Sequence, residues 1–566
     1  VEAQDEAAYL EVLRDLWREA WPRDAPREPH YPFGQIPLTD YLRRWAAIQP
    51  RKAALIYYGA ELSYGELDRL SDAFAAVLAR DGIVAGDRVG VMTVNCPQFV
   101  IAFFAILKLG AIHVPVSPML KAYELEAELT DAGVRAILVL DTLLPVLRQV
   151  QAATAVTRVY ATRLADMAPA SPTIASAADI WTPGVIDGDA VDFLDALAAA
   201  PAPPTWPDGA LDAVAALNYT GGTTGLPKGC AHSQRDMIYT AATTCPIGLG
   251  LDETGVSLCF YPAFWIAGED LICIFPIFTG STCVLLARWD PVAVLTAIER
   301  YRVSHTGMLV DNVVALLEHP RAGDFDLTSL RTVRVSSFVR KLNREIRRGW
   351  RALTGADVIE ATWGMTETHT CDTFTRGLQD DDFDLRQEPV FVGLPLPGTE
   401  FKICDFETGA LKPLGEDGEL CIRSPSLFSA YWNAPEATAE ALRDGWLHSG
   451  DVGLLDRAGY LRFLGRRKEM IKVKGMSVFP AELEAVLGGH PDVLASGVIA
   501  RPDAARGEVP VAFVLLAPGA AIDAGDLAAW CRARLSDYKA PEIRIVDDLP
   551  MTATGKVRKI DLHGRL

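Results

Sequence analysis

The sequence predicts an α/β protein of more than one domain: a large N-terminal domain of α/β subdomains plus a β-rich subdomain, followed by a small α+β C-terminal domain. Three observations lead there. At 566 residues the chain is too long for one ordinary hydrophobic core. Through its first half, short β-rich runs alternate with helix-period patterns, the signature of a largely parallel sheet. Beyond about residue 338 the apolar runs shorten and are separated by Gly, Pro and Asp, which favours antiparallel pairing.

The elements follow in order. Tyr9, Leu10, Leu13, Leu16, Trp17 and Trp21 recur at helical spacing, so an amphipathic helix opens the chain over residues 6–21. A Pro-rich connector, Pro22 to Pro37, comes next. Ser63 and Glu66 have the spacing of a capping box, with Leu67, Leu70, Phe74 and Val77 forming an apolar stripe behind it. Strands are predicted at Arg88–Val94, Ala111–Val116 and Arg135–Leu140. The apolar stretch Phe99 to Val116 is interrupted by Lys108, and a buried helix running into a strand explains it better than a membrane span. Leu164 to Asp208 is rich in Ala, Pro and Asp and reads as a surface excursion without a catalytic element. A further α/β region spans Asn218 to Phe338. Near the C-terminus, β-runs at Leu494–Arg501 and Val509–Leu516 and a helix near Asp526–Leu535 precede a polar tail.

Composition narrows the function. The net charge is −19 with no dominant basic face, which argues against a nucleic-acid partner. Ten cysteines scattered singly, with no C-x-x-C pair, read as reduced core residues of a cytoplasmic protein. Glu2, Asp5 and Glu6 stand where a signal peptide would be basic or apolar, and no transmembrane segment is expected.

Five segments carry chemistry. In Tyr219-Thr-Gly-Gly-Thr-Thr-Gly-Leu-Pro-Lys-Gly229, glycines let backbone N–H groups approach a phosphate chain, threonines add hydroxyls and Lys228 adds a point charge. Pro227 and Gly229 flanking the lysine exclude the usual nucleotide P-loop. Taken alone, such a cluster is as readily a plain turn. Ala361-Thr-Trp-Gly-Met-Thr-Glu367 sets an aromatic for purine stacking beside a hydroxyl and a carboxylate suited to Mg²⁺. Trp446-Leu-His-Ser-Gly-Asp451 ends on a carboxylate suited to a ribose diol. Gly465 to Gly475 is a basic run opening the last domain, and Thr552-Ala-Thr-Gly-Lys556 presents a lysine on a glycine-bearing loop. Singly, Glu367 reads as a cap, Asp451 as a turn residue and Lys556 as a surface lysine.

Together, in this order and at these separations, the segments resemble the adenylate-forming superfamily of acyl-CoA synthetases, peptide-synthetase adenylation domains and firefly-type luciferases. The chain is most like an acyl-CoA synthetase. The resemblance runs from about Leu38 to Arg558. It implies an N-terminal extension over residues 1–37, a large domain over 38–467 and a mobile lid over 468–566. Thr220, Gly221, Gly222, Thr223, Thr224, Gly225 and Lys228 would form the pyrophosphate loop. Trp363 and Gly364 would meet the adenine, Thr366 the α-phosphate, and Glu367 the magnesium ion. Asp451 and Arg466 would hold the ribose. Lys468 would be the hinge, Gly475 would line the CoA channel, and Lys556 would bridge carboxylate and α-phosphate. The implied reaction converts a hydrophobic carboxylic acid and ATP to acyl-AMP and pyrophosphate, then transfers the acyl group to coenzyme A. Self-association as a homodimer stays open.

The sequence departs from that pattern in the acyl pocket. Trp265 stands where many members carry histidine, Ser336-Ser337-Phe338 replaces a Gly-Gly-Ala, and Asp311 replaces a threonine. Trp265, Phe338 and Met365 are the expected pocket residues. None of these changes removes an ATP-handling group, so the acid's identity is what they affect. Two other readings remain: an adenylating enzyme that loads a carrier protein, and a catalytically silent binding protein. Retention of Lys228, Glu367, Asp451 and Lys556 together weighs against the second.

Overall fold

The computed structural model describes residues 5–176, 178–204, 206, 210–220, 227–337, 340–360, 362–387, 391–474, 476–503, 505–552 and 556–566. Four sheets organise them. The first runs in the order Asp357–Glu360, Thr332–Ser336, His305–Leu309, Val256–Cys259, Thr282–Leu285, Ala53–Tyr57, Ala60–Ser63, parallel except for the last pair. The second runs Val191–Asp192, Arg158–Thr162, Val134–Leu140, Arg88–Met92, Ile112–Pro115, Val214–Tyr219, Gly229–Ser233, again parallel but for the closing hairpin.

Both sheets share one core, with the helices Tyr64–Arg80 and Pro97–Lys108 among its members. Every residue of Pro97–Lys108 is buried, which is why its sequence is apolar on all faces. Lys108 is admitted because its ammonium reaches Asp68 at 2.6 Å and Asp72 at 2.9 Å. Ser63 and Glu66 form the expected reciprocal cap.

The third sheet, between Thr373 and Arg466, is antiparallel throughout, as its short, turn-punctuated runs predict. The N-terminal helix, observed over Glu6–Ala20, joins the core of this third sheet. The fourth sheet spans Ile471 to Val546 and is mixed, with Glu542–Val546 pairing parallel to Gly507–Leu516.

Two regions carry more structure than the sequence suggests. Within the Ala/Pro/Asp-rich excursion, Val191–Asp192 adds an edge strand and Phe193–Ala198 forms a helix. A single anchor explains it: Phe193 is fully buried, with its ring edge-on to Phe74 at 4.9 Å. The polar C-terminal stretch likewise holds the strand Glu542–Val546 and the helix Lys559–Leu562. All ten cysteines are free thiols and nine are buried. Among the described residues no helix is long and apolar enough to cross a membrane.

Candidate active site

A cleft of about 3040 Å³ opens between the carboxyl ends of the parallel strands, the third sheet and the C-terminal residues. Crevices at the carboxyl ends of parallel strands are where open α/β sheets bind ligands. Segments far apart in sequence converge on it.

The hairpin Val214–Tyr219/Gly229–Ser233 brings the first. Its tip is closed by Thr220 N–H donating to the Lys228 carbonyl at 2.9 Å and Lys228 N–H donating to Thr220 Oγ1 at 3.2 Å. Lys228 is exposed to the cleft, its ammonium 4.3 Å from the Tyr431 ring centroid. Gly221, Gly222, Thr223, Thr224 and Gly225 lie outside the described residues, as do Phe338 and Gly475.

The second segment follows the strand Asp357–Glu360. Trp363 N–H donates to Thr373 Oγ1 at 3.0 Å and the Trp363 carbonyl accepts from Asp372 N–H at 3.0 Å, folding the loop back on itself. A Cβ at Gly364 would stand 2.4 Å from the Cys371 nitrogen, so only glycine fits there. Thr366–Thr368 form one 3₁₀ turn, and His369, Thr370 and Cys371 then all take positive φ, between 50° and 58°. Three consecutive non-glycine residues in the left-handed region are costly and require outside support. Asp270 supplies it: Thr370 Oγ1 donates to Asp270 Oδ2 at 2.7 Å, and His369 Nδ1 lies 3.3 Å from Asp270 Oδ1. Burial alone would lower the His369 pKa, but the Asp270 carboxylate holds it above the ordinary value. His232 Nε2–H donates to the Thr366 carbonyl at 2.7 Å, fixing the turn from the other side.

Glu367 is buried at the cleft wall, and its Oε1 accepts from the Tyr431 hydroxyl at 2.6 Å. Burial and the Glu367 charge both push the Tyr431 pKa upward, so Tyr431 remains a donor. Thr366 and Met365, neighbours of Glu367, also line the cleft.

The third sheet contributes Asp451 and Arg466 as cross-strand partners. Arg466 Nε lies 2.8 Å from Asp451 Oδ1 as an ion pair, and Trp363 Nε1–H donates to Asp451 Oδ2 at 3.0 Å. Asp451 is 2% exposed, and burial pushes its pKa up to about 6 despite Arg466. Trp363 is therefore anchored edge-on by the carboxylate, with Phe401 edge-on to it at 5.7 Å.

From the C-terminal region, Thr552 and Lys556 pair directly, the N–H of each donating to the other residue. Lys556 lines the cleft, and its pKa is lowered by desolvation and by Arg466, with Asp451 and Glu469 opposing. Lys468 also lines the cleft, in the 3₁₀ turn Arg467–Glu469 between the last strand of the third sheet and the first of the fourth.

Trp265 lies at the cleft wall immediately before the helix Ile266–Glu269, beside Phe264. Asp311 sits in the structure's α/β region. It is half-buried in the first turn of Val310–Leu317, and desolvation raises its pKa against the pull of Arg340. Several groups have no counterpart in the sequence reading: Tyr431, His232, the Asp270–His369 pair, Lys341, Glu360 and Arg334. Glu360 accepts from Ser337 N–H at 2.9 Å and from the Ser337 hydroxyl, and burial brings its pKa to about 7. Of these, Arg334 left a trace in sequence, since Thr332, Arg334 and Ser336 put polar groups on alternate positions of an interior strand.

Comparison with known proteins places the chain in a family. The AMP-binding enzyme family matches residues 42–432, and the AMP-binding enzyme C-terminal domain matches residues 482–556. A long-chain-fatty-acid–CoA ligase of Bacillus subtilis (strain 168) is 32% identical over 561 residues, covering 96% of each chain. A feruloyl-CoA synthase of an Amycolatopsis species is 33% identical over 527 residues, covering 92% of this chain and 97% of that one. Among solved structures, an anthranilate CoA ligase in complex with anthranoyl-AMP has a TM-score of 0.81 at 28% identity, over 95% of this chain and 98% of that one. ATP-bound MatB from Rhodopseudomonas palustris has a TM-score of 0.76 at 27% identity, over 93% and 98%. With the greater part of its length matched, the chain belongs to the AMP-binding enzyme family.

Proposed function

We propose that the protein is an AMP-forming acid–thiol ligase: it converts a hydrophobic carboxylic acid and ATP to acyl-AMP and pyrophosphate, then passes the acyl group to coenzyme A. The observation that carries this reading is the convergence of Lys228, Glu367, the Asp451–Arg466 pair and Lys556 on one cleft from four separate segments. A carboxylate approaching a polyphosphate is repelled, at about 4 kcal/mol per pair of unit charges 4 Å apart at an effective dielectric near 20. Cationic groups placed between them remove that barrier and stabilise the charge that develops.

In this reading Lys228 and the Thr220 loop bind the β- and γ-phosphates, Asp451 accepts from the ribose hydroxyls, and Trp363 faces the adenine. Lys556 holds the acid's carboxylate against the α-phosphate, where the carboxylate oxygen bonds to phosphorus and pyrophosphate leaves. Little proton transfer is required, because the acid is ionised at neutral pH. The hard oxygen donor Glu367 fits a magnesium ion, which when bound would neutralise phosphate charge, while the Thr366 hydroxyl is suited to donate to the α-phosphate. The Tyr431 hydroxyl keeps the Glu367 carboxylate turned into place. Lys468, at the junction of two sheets, is the hinge about which residues 468–566 reorient between the half-reactions.

The test is pyrophosphate release from ATP and Mg²⁺ across fatty, aryl and alicyclic acids, with and without CoA. Turnover that requires both an acid and CoA is expected. Release that ignores CoA would move the assignment to a carrier-loading enzyme, and silence across the panel would overturn it.

A further inference from the structure

Next to the cleft, whose wall includes Ser336 and Thr362, a patch of half-buried residues lies over the first sheet. Side chains alternate faces along a strand, so Arg334 shares a face with Ser336, which lines the cleft. Its cross-strand neighbour is Gly307. Both lie on interior strands of a seven-stranded sheet, yet both are only half-buried, as are Tyr261, Leu271, Thr362 and Cys371. Residues in mid-sheet retain that exposure only where a chamber opens above them. A Cβ at Gly307 would meet Leu271 at 3.5 Å and Tyr261 at 3.7 Å, ordinary contacts. The glycine is therefore not forced by packing, and its missing side chain leaves volume beside the guanidinium.

Arg334 is sparsely satisfied for a cation in such a place. Its Nη2 donates to Thr362 Oγ1 at 2.8 Å, and Nη1 and Nη2 lie 3.8 and 3.7 Å from Cys371 Sγ. Among the described residues no carboxylate pairs with it. The acids of the region are engaged elsewhere: Asp270 by Thr370 and His369, Glu360 by Ser337. A guanidinium has five donors in a fork matched to a carboxylate, and leaving it short of acceptors away from bulk water is costly.

We propose that Arg334 receives a second anionic group at the far end of the acid, so that the preferred substrate is an ω-carboxy acid with an apolar body. This inference rests on the acid-activating reading given above. Trp265 and Leu271 provide apolar wall for the methylene chain, while one carboxylate meets Arg334 and the other is presented to Lys556. Fixing both ends also fixes the preferred chain length.

The experiment compares pyrophosphate release for acids matched in length, suberate, its monomethyl ester and octanoate, by the wild type, Arg334→Leu and Arg334→Lys. A charge-assisted bidentate contact predicts that the wild type favours suberate roughly 10- to 100-fold in kcat/KM over the ester and octanoate. R334L inverts the order, lowering suberate and raising octanoate activation, and R334K restores part of the suberate preference. Thermal shift with each acid reads binding without turnover, and only suberate should stabilise the wild type more than R334L. If the wild type uses octanoate as well as suberate, or R334L depresses both alike, the Arg334 assignment fails while acid activation stands. If no acid releases pyrophosphate and none shifts the melting temperature, both readings fail.

Discussion

Replacing Asp451 with asparagine tests whether the fold carries an electrostatic cost for its nucleotide site. Asp451 is almost fully buried, and its pKa rises from the ordinary 3.8 to about 6. Because the folded-state value is the higher one, this group's contribution to stability is fully present below pH 3.8 and is lost as pH rises through 6. At 1.36 kcal/mol per pH unit, holding the carboxylate ionised at neutral pH costs the fold about 3 kcal/mol. Asparagine does not titrate. The pull of Arg466 and of the Trp363 hydrogen bond on the charged form is already contained in that pKa, so only the difference between asparagine and the protonated acid remains as an offset that does not vary with pH. The difference between variant and wild type isolates the titration. It should move in favour of D451N by about 3 kcal/mol over the full range, roughly half of it between pH 5 and pH 8. The assay is the melting temperature of both nucleotide-free proteins across that range, with KM for ATP measured in parallel. D451N should gain on the wild type as pH rises while its KM for ATP increases at least about tenfold, the loss of a charged hydrogen-bond acceptor for the ribose. A stability difference that is flat in pH, or that narrows as pH rises, refutes the buried-carboxylate argument.

Lys556→Ala should reduce acyl-AMP formation by roughly 100- to 1000-fold, the usual loss on deleting one transition-state charge partner, while thioester formation from supplied acyl-AMP is largely spared. Equal loss of both half-reactions in rapid-quench assays would contradict the two-orientation account. Tyr431→Phe removes the hydroxyl donor to Glu367 and should raise the Mg²⁺ concentration needed for half-maximal pyrophosphate release by roughly tenfold, as lost support of a metal ligand does. An unchanged Mg²⁺ profile would exclude Glu367 as a ligand that depends on Tyr431. Gly364→Ala places a methyl 2.4 Å from the Cys371 nitrogen and should destabilise the protein by about 1–3 kcal/mol, seen as a lower melting temperature and weaker ATP binding.

What could be read from sequence was whatever has a local signature. The helix Pro97–Lys108 announced itself by continuous apolarity, and the Ser63–Glu66 cap by spacing. The chemistry-bearing loops were legible because glycine, hydroxyl and charge crowd into a few residues of one chain segment. Support for those loops was not. Tyr431 reaches Glu367 across 64 residues, His232 reaches the Thr366 carbonyl across 134, and Thr370 reaches Asp270 across 100. Such pairs leave no pattern in a linear chain, because each partner alone is an ordinary tyrosine, histidine or aspartate. The Phe193 segment was missed for a related reason: one buried aromatic in a polar stretch has no period to detect.

On the proposed reading, in which residues 468–566 turn between two half-reactions, those residues need contacts with the rest of the chain that can be given up cheaply. Lys341 meets the lid by packing, since a Cβ on Gly488 would lie 3.0 Å from its Cγ, and its ammonium donates to the Ser337 carbonyl on its own side of the cleft. The strong pairs Lys559–Glu469 and Lys559–Glu484, at 2.6 and 3.0 Å, join residues that all belong to 468–566 and travel together. What spans the junction is the small apolar cluster of Val452, Leu464 and Phe479, with Phe406, Leu454 and Met470 packed on it. Apolar contact is non-directional, so this cluster can slide and repack beside Lys468 while the polar contacts around it exchange partners with water. The arrangement keeps Lys556 in the cleft without locking it there, as the proposed second half-reaction would require.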